Sequence, residues 1–315
     1  MIGAGIVTIS GPLLPAAAFD TRQPAIARGI GCILFGCFCL TVSDSFAKWL
    51  GEHFSPLQLV FMRGLIAAPV VALIAIRTSG VQALFTAHPF LHLARGAINV
   101  AAAFCFYLSL THIPLAEATA IAFSAPLFVT LLSVVVLKER VGASAWCAVL
   151  AGFAGVLVVV RPGWGGFHPA AVLPLLAAVG YAVMMLSARR ISSREGLATT
   201  AFYIVVAQVA ASALLQPWVW QPIDMRQFAG MVGLATFSTL GLTFITHAFR
   251  LAPPAVVAPF DYSGLIWATL FGWVFWGEML DAWSYVGAGL IAAGGILVVT
   301  RRPRRAGPAT PLEED

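Results

Sequence analysis

The sequence predicts an all-α integral membrane protein with ten transmembrane helices, and three observations lead to this fold class. Of the 315 residues, 60% are hydrophobic and only 10% are charged, whereas soluble domains carry about 25% charged side chains. The mean hydropathy is +0.92. A helix needs about 20 apolar residues to cross a hydrocarbon core about 30 Å thick, so the chain is long enough for ten crossings with short loops.

Breaks at proline, glycine and charged residues divide the apolar sequence into individual spans. The predicted spans are residues 29–50, 57–77, 90–110, 115–137, 142–160, 168–187, 198–219, 227–249, 255–276 and 282–300. No polar stretch between them is long enough to fold by itself. Residues 1–28 and 302–315 are therefore expected to be cytoplasmic tails.

Basic residues mark one side of the membrane. When the loops are assigned to alternate sides, three of the 18 Lys and Arg residues (Lys48, Arg161 and Arg226) fall on one side, two fall within spans, and thirteen share the other side. The thirteen are Arg22, Arg28, Arg77, Lys138, Arg140, Arg189, Arg190, Arg194, Arg250, Arg301, Arg302, Arg304 and Arg305. Cytoplasmic loops are enriched in Lys and Arg. Both termini are therefore expected in the cytoplasm, and the protein in the cell inner (cytoplasmic) membrane.

The two halves of the chain resemble each other at an offset of 139 residues. The matched pairs include Pro114 with Pro253, Ser124 with Ser263, Thr130 with Thr269 and Glu139 with Glu278. Each half contains five predicted spans, and because five is odd the second half must enter the membrane from the opposite side. The sequence therefore predicts two inverted five-helix repeats, residues 29–162 and 163–301, an arrangement typical of alternating-access carriers.

Two segments in equivalent positions of the halves resemble a known family. They are Tyr107–Pro126 followed by Lys138–Arg140, and Ala255–Ser263 followed by Trp276–Glu278. Both are similar to the ends of the repeats in the ten-helix EamA-type transporters of the drug/metabolite transporter superfamily. The resemblance covers about residues 29 to 301. It implies two EamA repeats and transport of a small solute, with the lipid bilayer and that solute as partners.

Ionisable residues inside the spans are costly in lipid, so each needs a partner or a function. Asp44 lies towards the outer end of the first span and Arg63 at a similar depth in the second. They form either a structural ion pair or part of a substrate site or gate. Arg95 and Asn99 lie one turn apart in the third span. They are suited to hold an anionic or heterocyclic group, unless Arg95 extends to the cytoplasmic interface.

Further candidates for substrate binding or gating come from the fourth and ninth spans. Asp261 and Tyr262 lie in the first half of the ninth, and we expect Asp261 to face a cavity and to pair with a basic residue or the substrate. Ser124 and Ser263 are repeat-equivalent and lie in the middle of the membrane. Their hydroxyl groups either contact the solute or bond back to their own helices.

The sequence argues against an enzyme. It contains no HExxH, GxSxG or clustered His and Cys motif, and neither Lys48 nor Lys138 lies in a phosphate-binding loop. No catalytic residue, metal or cofactor is expected. Basic residues are scattered between apolar segments, so nucleic acid is not an expected partner. The five cysteines lie in apolar runs and are interpreted as small core residues.

The aromatic content and the few polar groups suit a flat heterocycle as the solute. The segments Asp44–Leu50, Phe61–Gly64 and His92–Gly96 are similar to bacterial members of the family linked to uptake of riboflavin or S-adenosylmethionine. The resemblance implies a riboflavin-like vitamin as first choice. Uptake of S-adenosylmethionine and export of amino acids or other metabolites are the alternatives, with a membrane-embedded enzyme or structural protein as a remote one.

Small residues recur at four-residue spacing in the fifth and tenth spans, at Ala148 and Gly152 and at Gly289 and Ala293. This spacing lets helices approach each other closely. We expect tight packing within the chain. A homodimer through the same faces is the alternative.

Overall fold

The computed structural model describes residues 22–86, 88–137, 142–160, 168–191 and 197–300, and every secondary-structure element in these ranges is helical. The α-helices are α1 (Arg22–Gly51), α2 (Pro56–Ser79), α3 (Pro89–Leu110), α4 (Leu115–Ala122), α5 (Ala125–Leu137), α6 (Ala143–Val160), α7 (Val172–Ile191), α8 (Leu197–Ala213), α9 (Gln216–Val219), α10 (Met225–Leu251), α11 (Pro254–Asp261), α12 (Ser263–Trp276) and α13 (Ala282–Thr300). Short 3-10 helices at Val81–Leu84 and Pro169–Ala171 lie in the connections. Each segment predicted as a span falls on helices of the structure.

Several residues used to predict the topology lie outside the described ranges. They are Lys138, Glu139, Arg140, Arg161, Arg194 and the basic residues after Thr300. Most of the N-terminal tail and all of the C-terminal tail also lie outside these ranges. The expected side of the membrane for these residues therefore remains a prediction.

Several helical segments of the described chain are long and apolar enough to cross a membrane. The six segments are Ala25–Gly51, Pro56–Ser79, Pro89–Leu110, Leu115–Val136, Pro169–Ser187 and Met225–Leu251. Three further apolar helices are shorter, at Trp146–Val160, Thr199–Ala213 and Ala282–Leu297. The chain is an all-helical multi-pass membrane protein.

Local sequence explains where individual helices begin and end. The Ser55 hydroxyl oxygen accepts a hydrogen bond from the backbone N–H of Leu57 in the first turn of α2. Pro56 is the first residue of this helix, where a backbone N–H would have no helical partner. Asp224 caps α10 by accepting a hydrogen bond from the backbone N–H of Gln227 at 2.7 Å. Gly277 ends α12 with a φ of 66°, a left-handed conformation that glycine adopts without steric cost. These signals keep the connections between helices short.

The fourth and ninth predicted spans are interrupted helices. Phe123 and Ser124 separate α4 from α5, and Tyr262 separates α11 from α12. Phe123 has φ and ψ of −66° and −2°, and Tyr262 has −65° and −8°. Pro126 follows the first interruption and Pro259 precedes the second. Proline has no N–H to continue the helical ladder. The backbone dihedral angles of Phe123 and Tyr262 are thus nearly identical, whereas the nearby prolines lie on opposite sides of the two interruptions.

The main apolar core lies towards one end of the bundle. It includes Leu50 at the end of α1, Leu59 near the start of α2, Leu110 at the end of α3, Ile121 in α4 and Leu234 in α10. All five side chains are almost fully buried. We call this end of the bundle, where α1 and α3 end and α2 and α10 begin, the closed end.

Glycine permits close approach of the most extensively packed helix pairs, which include α1 with α10 and α6 with α13. A Cβ atom on Gly36 of α1 would lie 3.0 Å from the carbonyl oxygen of Gly241 in α10. A Cβ atom on Gly155 of α6 would lie 2.7 Å from the carbonyl oxygen of Gly287 in α13. Both pairs are thus in contact through their backbones.

The small-residue pattern correctly identifies the packed face of α6 but not that of α13. A Cβ atom on Gly294 would lie 2.7 Å from the carbonyl oxygen of Ala148 and 2.8 Å from the Cα atom of Gly152. At Gly289, in contrast, a Cβ atom would meet nothing within 4 Å. The contact face of α13 is therefore formed by Gly287 and Gly294, because these two residues lie two helical turns apart on the side that faces α6.

Candidate functional site

A polar face of α1 runs through the bundle. Cys37, Thr41, Asp44 and Lys48 recur at intervals of three and four residues, which places them on one side of the helix. The face extends over about 16 Å, because each residue of an α-helix rises 1.5 Å. Polar groups are scarce in this chain, so this face marks the candidate path of a solute.

Lys48 forms an ion pair at the closed end of this face. Its Nζ atom lies 2.6 Å from Oε1 of Glu278 and donates a hydrogen bond to the carbonyl oxygen of Ile113 at 3.1 Å. The other carboxylate oxygen of Glu278 accepts a hydrogen bond from the N–H of Leu115 at 3.0 Å. The pair therefore connects α1, the α3–α4 loop and the segment after α12. No other ion pair joins two of the described residues.

A cavity of about 340 Å³ lies beside this ion pair. Its walls include Glu52, Thr111, His112 and Trp276. The Lys48 ammonium group also lies 5.6 Å from the centroid of the Trp276 ring, within the range of a cation–π interaction. Charged contacts and the apolar core thus seal the same end of the bundle.

Arg63 is held by a network of neutral side chains. Its Nη1 atom donates to the hydroxyl oxygen of Tyr107 at 2.8 Å, and Nη2 donates to Oε1 of Gln208 at 3.2 Å. The same Gln208 oxygen accepts a hydrogen bond from Nδ2 of Asn99 at 2.7 Å, while Nε2 of Gln208 donates to the carbonyl oxygen of Val60 at 2.8 Å. The network combines two predicted site residues, Arg63 and Asn99, and fixes the orientation of the guanidinium group.

Asp44 is not ion-paired with Arg63, which corrects the structural alternative considered above. The two groups interact electrostatically, but their N and O atoms are more than 4.0 Å apart. Hydrogen bonds to Tyr107 and Gln208 hold the guanidinium group in a position away from the Asp44 carboxylate. Asp44 and Arg63 are each half-buried, so neither charged group is fully enclosed by the protein.

Asp261, in the last turn of α11, contacts the other end of the polar face. The Cys37 thiol donates to Oδ1 of Asp261 at 3.2 Å, so Cys37 is more than a small core residue. No described basic side chain lies within 4.0 Å of Asp261. Tyr181 of α7 interacts electrostatically with Asp261 and is 51% exposed although it lies in the middle of its helix. These contacts place Asp261 near both Cys37 of α1 and the exposed Tyr181 of α7.

The two residues that interrupt the helices contact each other. The rings of Phe123 and Tyr262 have centroids 4.9 Å apart and are tilted by 34°. The Tyr262 hydroxyl group is buried against Gly295 of α13 and has no hydrogen-bond partner among the described residues. Tyr262 therefore points its hydroxyl group towards α13, away from the polar face of α1.

The repeat-equivalent serines differ in their hydrogen bonds. Ser124 is buried and donates to the carbonyl oxygen of Ile121 in its own helix at 2.6 Å, which is the structural alternative. The Ser263 hydroxyl group is buried and interacts with the Cys37 thiol. Neither arrangement by itself indicates that a solute binds at Ser124 or Ser263.

Arg95 does not join the network of Asn99. It is 3% exposed, and its Nε and Nη1 atoms have no hydrogen-bond partner among the described residues. Such burial disagrees with the alternative in which the guanidinium group extends to the membrane interface.

Sequence reasoning missed four residues that complete these contacts: Cys37, Tyr107, Tyr181 and Gln208. Gln208 was detectable, because an amide in an otherwise apolar span needs a hydrogen-bond partner. The pairing of Lys48 with Glu278 was not, because it depends on which helices are neighbours. The groups assembled here bind and orient, and within the described residues no set of three or more His, Cys, Asp or Glu side chains could hold a metal ion.

Comparison with known families gives two matches along this chain. The EamA-like transporter family matches residues 27–161 and again residues 168–300. Together the two matches cover nearly all of the helical part of the chain.

Individual relatives with named solutes are similar over most of their length. The pseudopaline exporter CntI of Pseudomonas aeruginosa is 29% identical over 87% of this chain and 94% of its own. An S-adenosylmethionine uptake transporter of Rickettsia prowazekii is 26% identical over 86% of this chain and 92% of its own. A riboflavin transporter of Rhizobium johnstonii is 30% identical over 72% of this chain and 75% of its own.

Proposed function

The chain belongs to the EamA-like transporter family, and from this premise we propose that it carries a small organic metabolite across the cell inner membrane by alternating access. The observation that carries the proposal is the polar face of α1, which is sealed at one end by the Lys48–Glu278 ion pair. Its other end lies beside Asp261 and the exposed Tyr181, and no ion pair joins described residues there. An alternating-access carrier needs a path that is sealed at one end at a time, whereas a channel does not.

Ten spans in two inverted repeats are part of the proposal, and three features support them. The family matches the chain once in each half. The helix interruptions at Phe123 and Tyr262 are 139 residues apart, the offset of the sequence repeat, and have the same conformation. Helix contacts also follow the repeat, in which α1 is equivalent to α7, α3 to α10 and α6 to α13. Accordingly, α1 packs on α10, α7 packs on α3, and α6 packs on α13. Such symmetry lets either end of a carrier close with similar contacts.

The proposed orientation places both termini in the cytoplasm. The loops at the closed end carry few basic residues, whereas thirteen of the 18 Lys and Arg residues were assigned to the other side. Positively charged loops remain in the cytoplasm. The closed end then faces the periplasm, and the described state is closed to the outside.

The charged side chains inside the bundle change which solute we propose first, compared with the expectation from the sequence. Riboflavin is uncharged, whereas Asp44 and Arg63 are oppositely charged, half-buried and not ion-paired with each other. S-adenosylmethionine carries charges of both signs and a flat adenine ring, and four of the relatives compared are named as its uptake transporters. We therefore propose S-adenosylmethionine as the first solute to test. Riboflavin is second, supported by the 30% identical relative.

Transport into proteoliposomes tests the proposal. The purified protein is reconstituted and supplied with labelled S-adenosylmethionine, riboflavin or amino acids, with and without a proton gradient, beside protein-free liposomes. Saturable uptake of a solute recovered chemically unchanged, as mass spectrometry determines, is the expected result. Absence of transport for the whole panel, or chemical conversion of the solute, would contradict the proposed function.

A further inference from the structure

We propose that the gap between Asp44 and Arg63 binds an α-amino-acid group, in which an ammonium group and a carboxylate are attached to one carbon atom. This inference rests on the proposed transport function and specifies the chemical group that the carrier recognises. In this arrangement the solute carboxylate binds the Arg63 guanidinium group. The solute ammonium group binds the Asp44 carboxylate.

Both protein groups have unused hydrogen-bonding capacity. A guanidinium group has five N–H donors, and Arg63 forms two hydrogen bonds, to Tyr107 and Gln208. Asp44 accepts no hydrogen bond from the described residues and lies more than 4.0 Å from their cationic nitrogens. Both side chains remain half-buried. Opposite charges in a membrane interior that are half-buried and not paired with each other suit a ligand that carries both complementary charges.

The surrounding network explains why the two protein charges stay apart. Gln208 holds Arg63 through Oε1 and is itself fixed by Asn99 and by the carbonyl oxygen of Val60. Moving the guanidinium group onto Asp44 would break these hydrogen bonds. The arginine is therefore pre-oriented, and a solute carboxylate binds without paying the entropy of ordering this side chain.

The signs of the charges exclude other ligand classes. Asp44 repels a phosphate or a dicarboxylate, and Arg63 repels a simple amine. An uncharged ring gains nothing from either group and leaves both desolvated. Asp44 also lies one helical turn, about 6 Å, from Lys48 on the same face of α1. A bound amino-acid group would therefore sit next to the ion pair that seals the closed end.

Ligand binding to the purified full-length protein in detergent tests the inference without requiring transport. Thermal stabilisation and competition are measured with S-adenosylmethionine and the twenty common L-amino acids. The matched probe is 5′-methylthioadenosine, which keeps the adenosine but lacks the amino-acid group. We expect binding by compounds that carry the amino-acid group and at least tenfold weaker binding of 5′-methylthioadenosine. Equal affinity for 5′-methylthioadenosine, or no binding by any amino-acid-bearing compound, would overturn the inference.

Substitutions locate the site. Asp44→Asn and Arg63→Gln should each weaken binding of the amino-acid-bearing ligand by on the order of 10- to 100-fold, because each removes a charge-assisted hydrogen bond. Asp44→Asn should leave the affinity for 5′-methylthioadenosine unchanged. Arg250→Gln removes an exposed positive charge near the end of α10 and is the control. Unaltered affinity in a folded Asp44→Asn protein would contradict the site.

Failure of this inference and failure of the proposed function give different results. Riboflavin uptake by proteoliposomes without binding of any amino-acid compound would leave a transporter and remove the amino-acid site. Binding that depends on Asp44 and Arg63 without transport would establish the site and contradict the carrier.

Discussion

Lys48 and Glu278 form a 2.6 Å ion pair in which each partner also binds a backbone group of the α3–α4 loop. One interaction therefore connects the end of α1, this loop and the segment after α12. Because the side chains are only 8% and 21% exposed, water screens the pair less than a surface pair. The pair is well placed to hold the closed end shut.

Loss of this ion pair should open the closed end. Lys48→Gln removes the charge but keeps a long polar side chain, so the α1 contact to Glu278 is weakened. We expect several-fold faster labelling of a Thr41→Cys variant, in a protein without its native cysteines, by a membrane-impermeant maleimide added from the side of the closed end. Asp224→Asn removes an exposed charge from the same end, keeps a good N-cap residue and should leave the rate unchanged. Equal rates with and without Lys48→Gln would contradict a gate.

Charge reversal should restore the gate only in part. The double variant Lys48→Glu and Glu278→Lys recreates an ion pair of opposite polarity. The new carboxylate on α1 then faces the Ile113 carbonyl oxygen, and the new ammonium group after α12 faces the Leu115 N–H, so both backbone hydrogen bonds are lost. Labelling of the double variant should fall between the wild-type and single-variant rates. A double variant as open as Lys48→Gln would show that the pair itself contributes little.

The Arg63 network should control solute affinity. Tyr107→Phe removes a hydrogen bond to a charged group, which is worth about 1.5–3 kcal/mol, and KM should rise about tenfold. Tyr203→Phe removes a hydrogen bond of similar length, from Oη to the Leu84 carbonyl oxygen at 2.9 Å, outside the network. This control should lose about 1 kcal/mol of stability with KM unchanged. Transport kinetics and thermal unfolding distinguish the two effects.

Glycine at the α6–α13 interface should be required for stability. A Cβ atom at Gly155 would lie 2.7–2.8 Å from backbone atoms of Gly287 and Ile291, and overpacking of this kind costs about 1–3 kcal/mol. Gly155→Ala should lower the unfolding temperature in detergent. Gly289→Ala, on the same pair of helices, meets open space and should be neutral or slightly stabilising because alanine favours helix. Equal effects of both substitutions would contradict the described packing.

Asp261→Asn should reduce transport because it removes the carboxylate at the end of the polar face of α1, next to Cys37 and the exposed Tyr181. Asp224→Asn is the matched control, since asparagine is also a good N-cap residue and Asp224 lies at the exposed start of α10. We expect a loss of at least tenfold in the transport rate for Asp261→Asn alone. Full uptake by the Asp261→Asn variant would remove Asp261 from the solute path.

Helix positions were largely predictable from the sequence because their signals are local. The predicted span 57–77 corresponds to Pro56–Ser79, where Ser55 and Gly80 flank the helix. Pro126 and Pro259 indicate distortion of the fourth and ninth spans, but the exact residues at which the helices are interrupted could not be predicted from the sequence.

The candidate site was predictable only in part. Asp44, Arg63 and Asn99 are polar residues in apolar spans and could be recognised singly. Their contacts could not, because the partner that organises them, Gln208, lies in a distant helix whose position depends on lateral packing.

Solute counterflow tests the central claim of a carrier most directly. Proteoliposomes are preloaded with a high concentration of the unlabelled solute that showed uptake and are diluted into a trace of the labelled solute. An alternating-access carrier exchanges the two, so labelled solute should accumulate transiently above its equilibrium level. Simple equilibration without such an overshoot, at a rate that preloading does not change, would contradict the account.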